Sequence, residues 1–161
     1  MPQIFNVKNH HLITIDDIYK LEKISDQKFD LVQRILLIDL GNTQQLLDIL
    51  NNTKTQIRVL SQIEQRDIIK RKSCIISSTN DILAYANSKI YSRKMPFDVL
   101  EEIRECKKGI GKIILYHQLE IFKKITEIGY VPGKYIFKNY SLFHMDYRIC
   151  RINEIFPIQT K

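Results

Sequence analysis

The sequence predicts an α+β domain, a largely antiparallel sheet with helices on one side. Three observations lead there. Residues 66–77 and 82–90 are β-type runs either side of the turn cluster at 78–81, the pattern of an antiparallel hairpin. Residues 135–144 and 147–157 repeat that pattern about a tight reversal at Met145-Asp146. Between and before these runs lie segments with helical spacing and capping residues.

Taken in order, residues 1–13 read as an extended, peripheral N-terminal arm, with His10-His11 at the surface. Thr14 followed by Asp17 is a capping box, and Ile18, Leu21 and Ile24 extend it into a helix over 15–24. Leu31, Ile35 and Ile38 give a second helix over 28–38. Gly41 breaks that pattern, and Asn42 caps a third helix over 43–51. Residues 55–64 alternate as a strand with Ile57, Val59, Ser61 and Ile63 on one face.

After the first hairpin, Pro96 opens a helix whose acidic residues come early and whose lysines come late, as its field prefers. Its inner stripe is Leu100, Ile103 and Cys106 or Lys107. A glycine-flanked joint, Gly109-Ile110-Gly111, follows. Leu115, Leu119, Phe122 and Ile125 then predict a helix over 112–128, with His117 exposed off its stripe. Gly129 ends it, and Pro132-Gly133 turns the chain into the last hairpin.

The 161 residues fit a single domain spanning 1–161. A net charge of +7 favours an anionic partner by steering. The cations are spread out, and only Lys70-Arg71-Lys72 is a block, so the signal for nucleic acid is weak. Cys74, Cys106 and Cys150 lack metal-binding spacing and suit core packing in a reducing compartment; no HExxH motif is present, so no metal is expected. No apolar run reaches transmembrane length, and no signal-peptide core is evident.

Candidate chemistry centres on the last strand. Cys150, Ile152, Glu154 and Phe156 share one face, and Glu154 is the one charge among them. A carboxylate facing a core needs a partner or a raised pKa. Glu154 is therefore either solvated at the strand's end or placed in a pocket. Lys70, Arg71 and Lys72 cannot all share a face, so one cation points inward; arginine suits that place because its fork binds a carboxylate at two points. The alternative is an edge strand whose charges discourage pairing. Asn42, at a helix start, offers either an anion-binding terminus or an ordinary cap. The joint at 109–111 lacks the spacing of a nucleotide-binding fingerprint.

With these positions in view, the chain resembles the chorismate pyruvate-lyase family, most closely its cyanobacterial and plastid-encoded branch. The similar stretches are DLGNTQQLL, RKSCIISSTNDILAYANSKI, KKGIGKII and INEIFP, in that order, from about residue 36 to 157. The resemblance implies a six-stranded, largely antiparallel sheet with helices covering an enclosed ligand site. It implies elimination of pyruvate from chorismate to give 4-hydroxybenzoate, a step toward quinones, with no metal or organic cofactor. Arg71 matches the arginine that binds the ring carboxylate, and Glu154 the acid/base glutamate. Ile110 stands where the family usually has a leucine whose backbone amide holds the carboxylate, and Asn42 stands near the position from which the other loop supplies a backbone amide. Lys138 and Tyr140 stand where the family has an arginine and a tyrosine, and the turn before Arg151 lacks the usual glycine-proline pair. A glutamate in such a pocket is expected to have its pKa pushed toward neutrality.

The expected partner is thus the small molecule chorismate, not nucleic acid. A monomer or weak homodimer without membrane insertion is expected, in the plastid stroma or a cyanobacterial cytoplasm. Two other readings stand beside this one. A non-catalytic module that binds an aromatic carboxylate would keep the pocket without needing Glu154. A basic RNA- or protein-binding factor would place Lys70, Arg71 and Lys72 in one exposed patch.

Overall fold

The computed structural model describes residues 1–8 and 12–159, so the His10-His11 pair lies outside the described residues. The elements run β1 (Gln3–Asn6), α1 (Ile15–Ser25), α2 (Leu31–Ile38), α3 (Thr43–Asn51), β2 (Gln56–Gln65), β3 (Ile68–Ile76), β4 (Ile82–Tyr91), α4 (Phe97–Arg104), α5 (Ile110–Tyr116), β5 (Phe122–Val131), β6 (Tyr135–His144) and β7 (Tyr147–Pro157). One sheet holds the strands in the order β1-β5-β6-β7-β4-β3-β2. Every pairing in it is antiparallel. The α+β class is as predicted, with seven strands among the described residues rather than six. The added strand is β1, inside the segment read as a peripheral arm; it pairs with β5 from Gln3↔Tyr130 to Asn6↔Glu127.

Local chemistry sets the helix starts. Thr14 and Asp17 form the predicted capping box on α1, and Asp30 with Gln33 forms another on α2. The second box explains why α2 begins at Leu31 rather than 28. The Asn42 side chain accepts from the Gln45 N–H at 2.9 Å and starts α3.

The segment 112–128 departs from expectation. It is not one helix: α5 ends at Tyr116, Gln118 takes a left-handed φ of 52°, and β5 begins at Phe122. The apparent stripe misleads, because Leu115 and Phe122 are exposed while Ile113, Ile114 and Ile125 are buried. In β5 a bulge at Thr126 carries the buried register from Lys123 and Ile125 to Ile128. A short helix followed by a bulged strand thus imitates a single helical period.

A second bulge, at Leu60, splits the face predicted for β2. Ile57 and Val59 are half-buried, whereas Ser61 and Ile63 are exposed and Gln62 turns inward. In α4 the inner stripe is Val99, Leu100 and Ile103, and Cys106 lies beyond the helix, exposed. Cys74 and Cys150 are buried, as core packing requires.

The closing hairpin fixes the face of β7. Met145 and Asp146 both have positive φ, 47° and 65°, the signature of a two-residue type I′ turn. That turn pairs His144 with Tyr147 and Phe143 with Arg148, after which the register shifts so that Leu142 faces Cys150. Ile149 is the extra residue. Without it, Lys138 would face Asn153; with it, Lys138 faces Glu154. Cys150, Ile152, Glu154 and Phe156 are all buried on the face that the helices cover. The opposite face stays open and carries exposed Lys70, Lys72, Asn87 and Arg151.

Candidate functional site

A cavity of about 240 Å³ lies between the sheet and the starts of α3 and α5. Asn42, Arg71, Ile110 and Glu154, the four residues singled out from sequence, all line it. They come from the cap of α3 and from β3, α5 and β7, four separate places in the chain.

Glu154 is 5% exposed and is not solvated at the strand end. Its carboxylate accepts from the Thr43 hydroxyl, 2.7 Å to Oε2 and 3.0 Å to Oε1, and from the Tyr140 hydroxyl. Burial pushes its pKa up, but Lys138, Lys123, Tyr140 and Thr43 together hold it below the usual carboxylate value. The expectation of a pKa near neutrality is therefore corrected: Glu154 is an ionised, hydrogen-bonded carboxylate. Burial and the Glu154 charge raise the Tyr140 pKa well above its ordinary value, so Tyr140 remains the donor.

Lys138 is wholly buried opposite Glu154. Burial lowers its pKa to about 8, against the favourable field of Glu154. Its Nζ donates to the Asp39 carbonyl at 3.0 Å, and the Lys123 Nζ donates to the Gly41 carbonyl at 3.0 Å. Two lysines from the sheet thus pin the α2–α3 loop, and with it Asn42 and Thr43. Helix C-terminal carbonyls attract cations, which helps α2 end there.

Arg71 is buried on the helix-covered face, with Lys70 and Lys72 exposed on the other. The continuous exposed patch required of a nucleic-acid factor is therefore broken at its centre. The Arg71 Nε donates to Gln62 Oε1 at 2.7 Å, Nη1 to the Lys108 carbonyl at 2.8 Å and Nη2 to the Ile103 carbonyl at 2.6 Å. All three acceptors are neutral, and each terminal nitrogen keeps a second N–H. Burial lowers its pKa, but a guanidinium remains charged. These contacts tie β3 to the α4–α5 connection and so place the joint at 109–111.

That joint meets the start of α3 directly. A Cβ added to Gly111 would stand 2.5 Å from Asn42 Nδ2. The first turn of α5 and the cap of α3 therefore converge, each with backbone N–H groups that lack partners within its own helix. Elsewhere in the lining, Ile57, Ile75, Leu119 and Leu142 supply an apolar wall.

Cys150, buried beneath this site, has its thiol pushed up to about 12 by burial, which leaves it no nucleophile. His117, expected on the surface, is half-buried with Nε2 2.8 Å from Glu102. No group of three or more His, Cys, Asp or Glu among the described residues could hold a metal. No helix among them is long and apolar enough to cross a membrane.

Sequence reasoning did not find Thr43, Lys123 or Gln62. Lys138 and Tyr140 share the period of Ile136 and Leu142 in β6, the same polar-in-apolar signal that marked Glu154. Lys123 gave no such signal inside a segment read as helix. No protein-family model matches the chain, and no curated protein matches it, so the site rests on its own geometry.

Proposed function

We propose that this chain is a chorismate lyase, eliminating pyruvate from chorismate to leave 4-hydroxybenzoate. The observation that carries the reading is one cavity lined by both Arg71 and Glu154, with the starts of α3 and α5 beside them. Arg71 and Glu154 sit two strands and two residues apart, about 12 Å between Cα atoms by sheet spacing and rise. Their side chains therefore approach a ring-sized ligand from opposite ends.

Arg71 binds the ring carboxylate with its remaining N–H donors, the two-point contact for which a guanidinium is built. Backbone N–H groups at Ile110 and near Asn42 complete that end. The volume, just below the range of about 300–1,000 Å³ common for ligand sites, suits a single-ring acid. In this reading α3 and α5 close over the ligand and exclude water.

The reaction breaks the ether bond between the ring and the enolpyruvyl group and removes the proton from the neighbouring hydroxyl-bearing carbon. The ring becomes aromatic, and the enolpyruvate takes a proton on its methylene to become pyruvate. An ionised Glu154 serves as the base for the ring proton and returns a proton afterwards. Tyr140 and Thr43 hold its oxygens in place.

One observation favours a second reading. The Glu154 carboxylate is hydrogen-bonded by both Thr43 and Tyr140, as a structural carboxylate in a non-catalytic aromatic-carboxylate binder would be. A crystal structure with 4-hydroxybenzoate tests the site common to both. The expected result places the ligand carboxylate about 2.7–2.9 Å from the Arg71 guanidinium, with the ring oxygen toward Glu154. A ligand bound elsewhere, or none bound at saturating concentration, contradicts it.

A further inference from the structure

We infer that Lys123 forms a second carboxylate subsite in the cavity, so that the site selects ring acids carrying two carboxylates over those carrying one. This rests on the proposed reading of the cavity as an aromatic-acid site.

The buried charged side chains that line the cavity are Arg71, Lys123 and Glu154, two cations against one anion, and Lys112 adds a third cation at the exposed mouth. A buried surplus of charge is costly without a partner. Behind the wall, Lys138 faces Glu154 and feels the field of Asp39, so Glu154 already serves a second cation. The Glu154 oxygens accept hydrogen bonds from Thr43 and Tyr140, not from a lysine.

Lys123 is 7% exposed and forms no ion pair among the described residues. Its Nζ hydrogen-bonds to the Gly41 carbonyl and lies 4.2 Å from the centroid of the Tyr140 ring. Both partners are uncharged, and an ammonium group has donors beyond the one spent on Gly41. Tyr140 also binds Glu154, so Lys123 stands beside the Glu154 end of the cavity. Arg71 is anchored at the other end, against the Ile103 and Lys108 carbonyls. The two cations without an ion pair among the described residues are thus separated across the cavity. A ligand that neutralises both carries one carboxylate on its ring and a second on a substituent near the reacting carbon, as the enolpyruvyl ether does.

The test measures, in the slow-turnover Glu154→Gln background, the equilibrium affinity of chains with and without Lys123→Met for chorismate and for 4-hydroxybenzoate. Lys123→Met is expected to weaken chorismate by about 10–100-fold, the cost of a charge-assisted contact, and 4-hydroxybenzoate by less than about 3-fold. Lys123→Arg, which keeps the charge, restores the preference. If Lys123→Met fails to fold, the wild-type chain is titrated with 3-(carboxymethoxy)benzoate and 3-methoxybenzoate; the diacid is expected to bind at least about 10-fold tighter. Equal loss of both ligands in Lys123→Met, or equal affinity for diacid and monoacid in the wild type, overturns the subsite while leaving the aromatic-acid site standing. Failure of the wild type to bind any of the four overturns both.

Discussion

Lys138 and Glu154 stand directly opposite one another on β6 and β7, and one extra residue, Ile149, puts them there. The type I′ turn alone would set Lys138 against Asn153 and turn Glu154 to the open face. The bulge restores the face, and with it the whole polar cluster: Glu154 to Tyr140 and Thr43, Lys138 to the Asp39 carbonyl. The site therefore depends on hairpin geometry as much as on residue identity.

The turn itself is open to improvement. Met145 and Asp146 both occupy the left-handed region, which side chains other than glycine and asparagine adopt at a cost. The double substitution Met145→Asn with Asp146→Gly is expected to stabilise the chain by about 0.5–1 kcal/mol and to raise Tm by about 1–4 °C. Affinity for 4-hydroxybenzoate should not change. Thermal melts with and without ligand check both, and a lower Tm would contradict the turn assignment.

Buried Lys138 gives a signed pH dependence. Its folded pKa of about 8 lies below its ordinary value of 10.5. Between these values the unfolded chain binds more protons, so stability from this group rises with pH. Cys150, raised from 9.0 to about 12, acts with the opposite sign above its ordinary value. The window for a net rise is therefore about pH 8 to pH 9. Denaturant midpoints across that window should increase in the wild type and stay level in Lys138→Met. Glu154, held low when folded, contributes stability above the ordinary carboxylate range and loses it as the pH falls through its lowered value.

Much of this was legible, for reasons tied to particular residues. The period-two register of Cys150, Ile152, Glu154 and Phe156 survives in β7 because it begins after the bulge. Thr14 and Asn42 announced their helices through side-chain capping, which is local in sequence. What failed was local pattern under nonlocal constraint. Thr126 and Leu60 are bulge residues fixed by neighbouring strands, and each shifts an alternation that the sequence shows as unbroken or helical. With β5 hidden in a helix reading, neither the pairing of β1 nor the burial of Lys123 could be seen. Gln62 was missed because only the shift at Leu60 turns it toward Arg71.

The approach of Gly111 to Asn42 makes a further expectation. In Gly111→Ala the new Cβ would meet the Asn42 amide at 2.5 Å, and relief displaces the cap of α3. A lost cap costs about 1 kcal/mol, and the displaced loop also carries Thr43. Weaker binding of 4-hydroxybenzoate should accompany the lower stability. Calorimetric titration against Tyr116→Ala, exposed at the far end of the same helix and outside the cavity lining, separates the two effects; equal affinity in the two variants would contradict the role given to this contact.

The central claim is that Glu154 acts on a ligand held by Arg71, and turnover of chorismate measures it most directly. Purified wild-type chain incubated with chorismate is expected to release pyruvate and 4-hydroxybenzoate in equal amounts. Glu154→Gln, which keeps the shape and hydrogen-bonding reach of the side chain, is expected to bind 4-hydroxybenzoate yet lose about 10²–10⁴-fold in rate. Pyruvate release at the same rate from both chains, or from neither, would contradict the account.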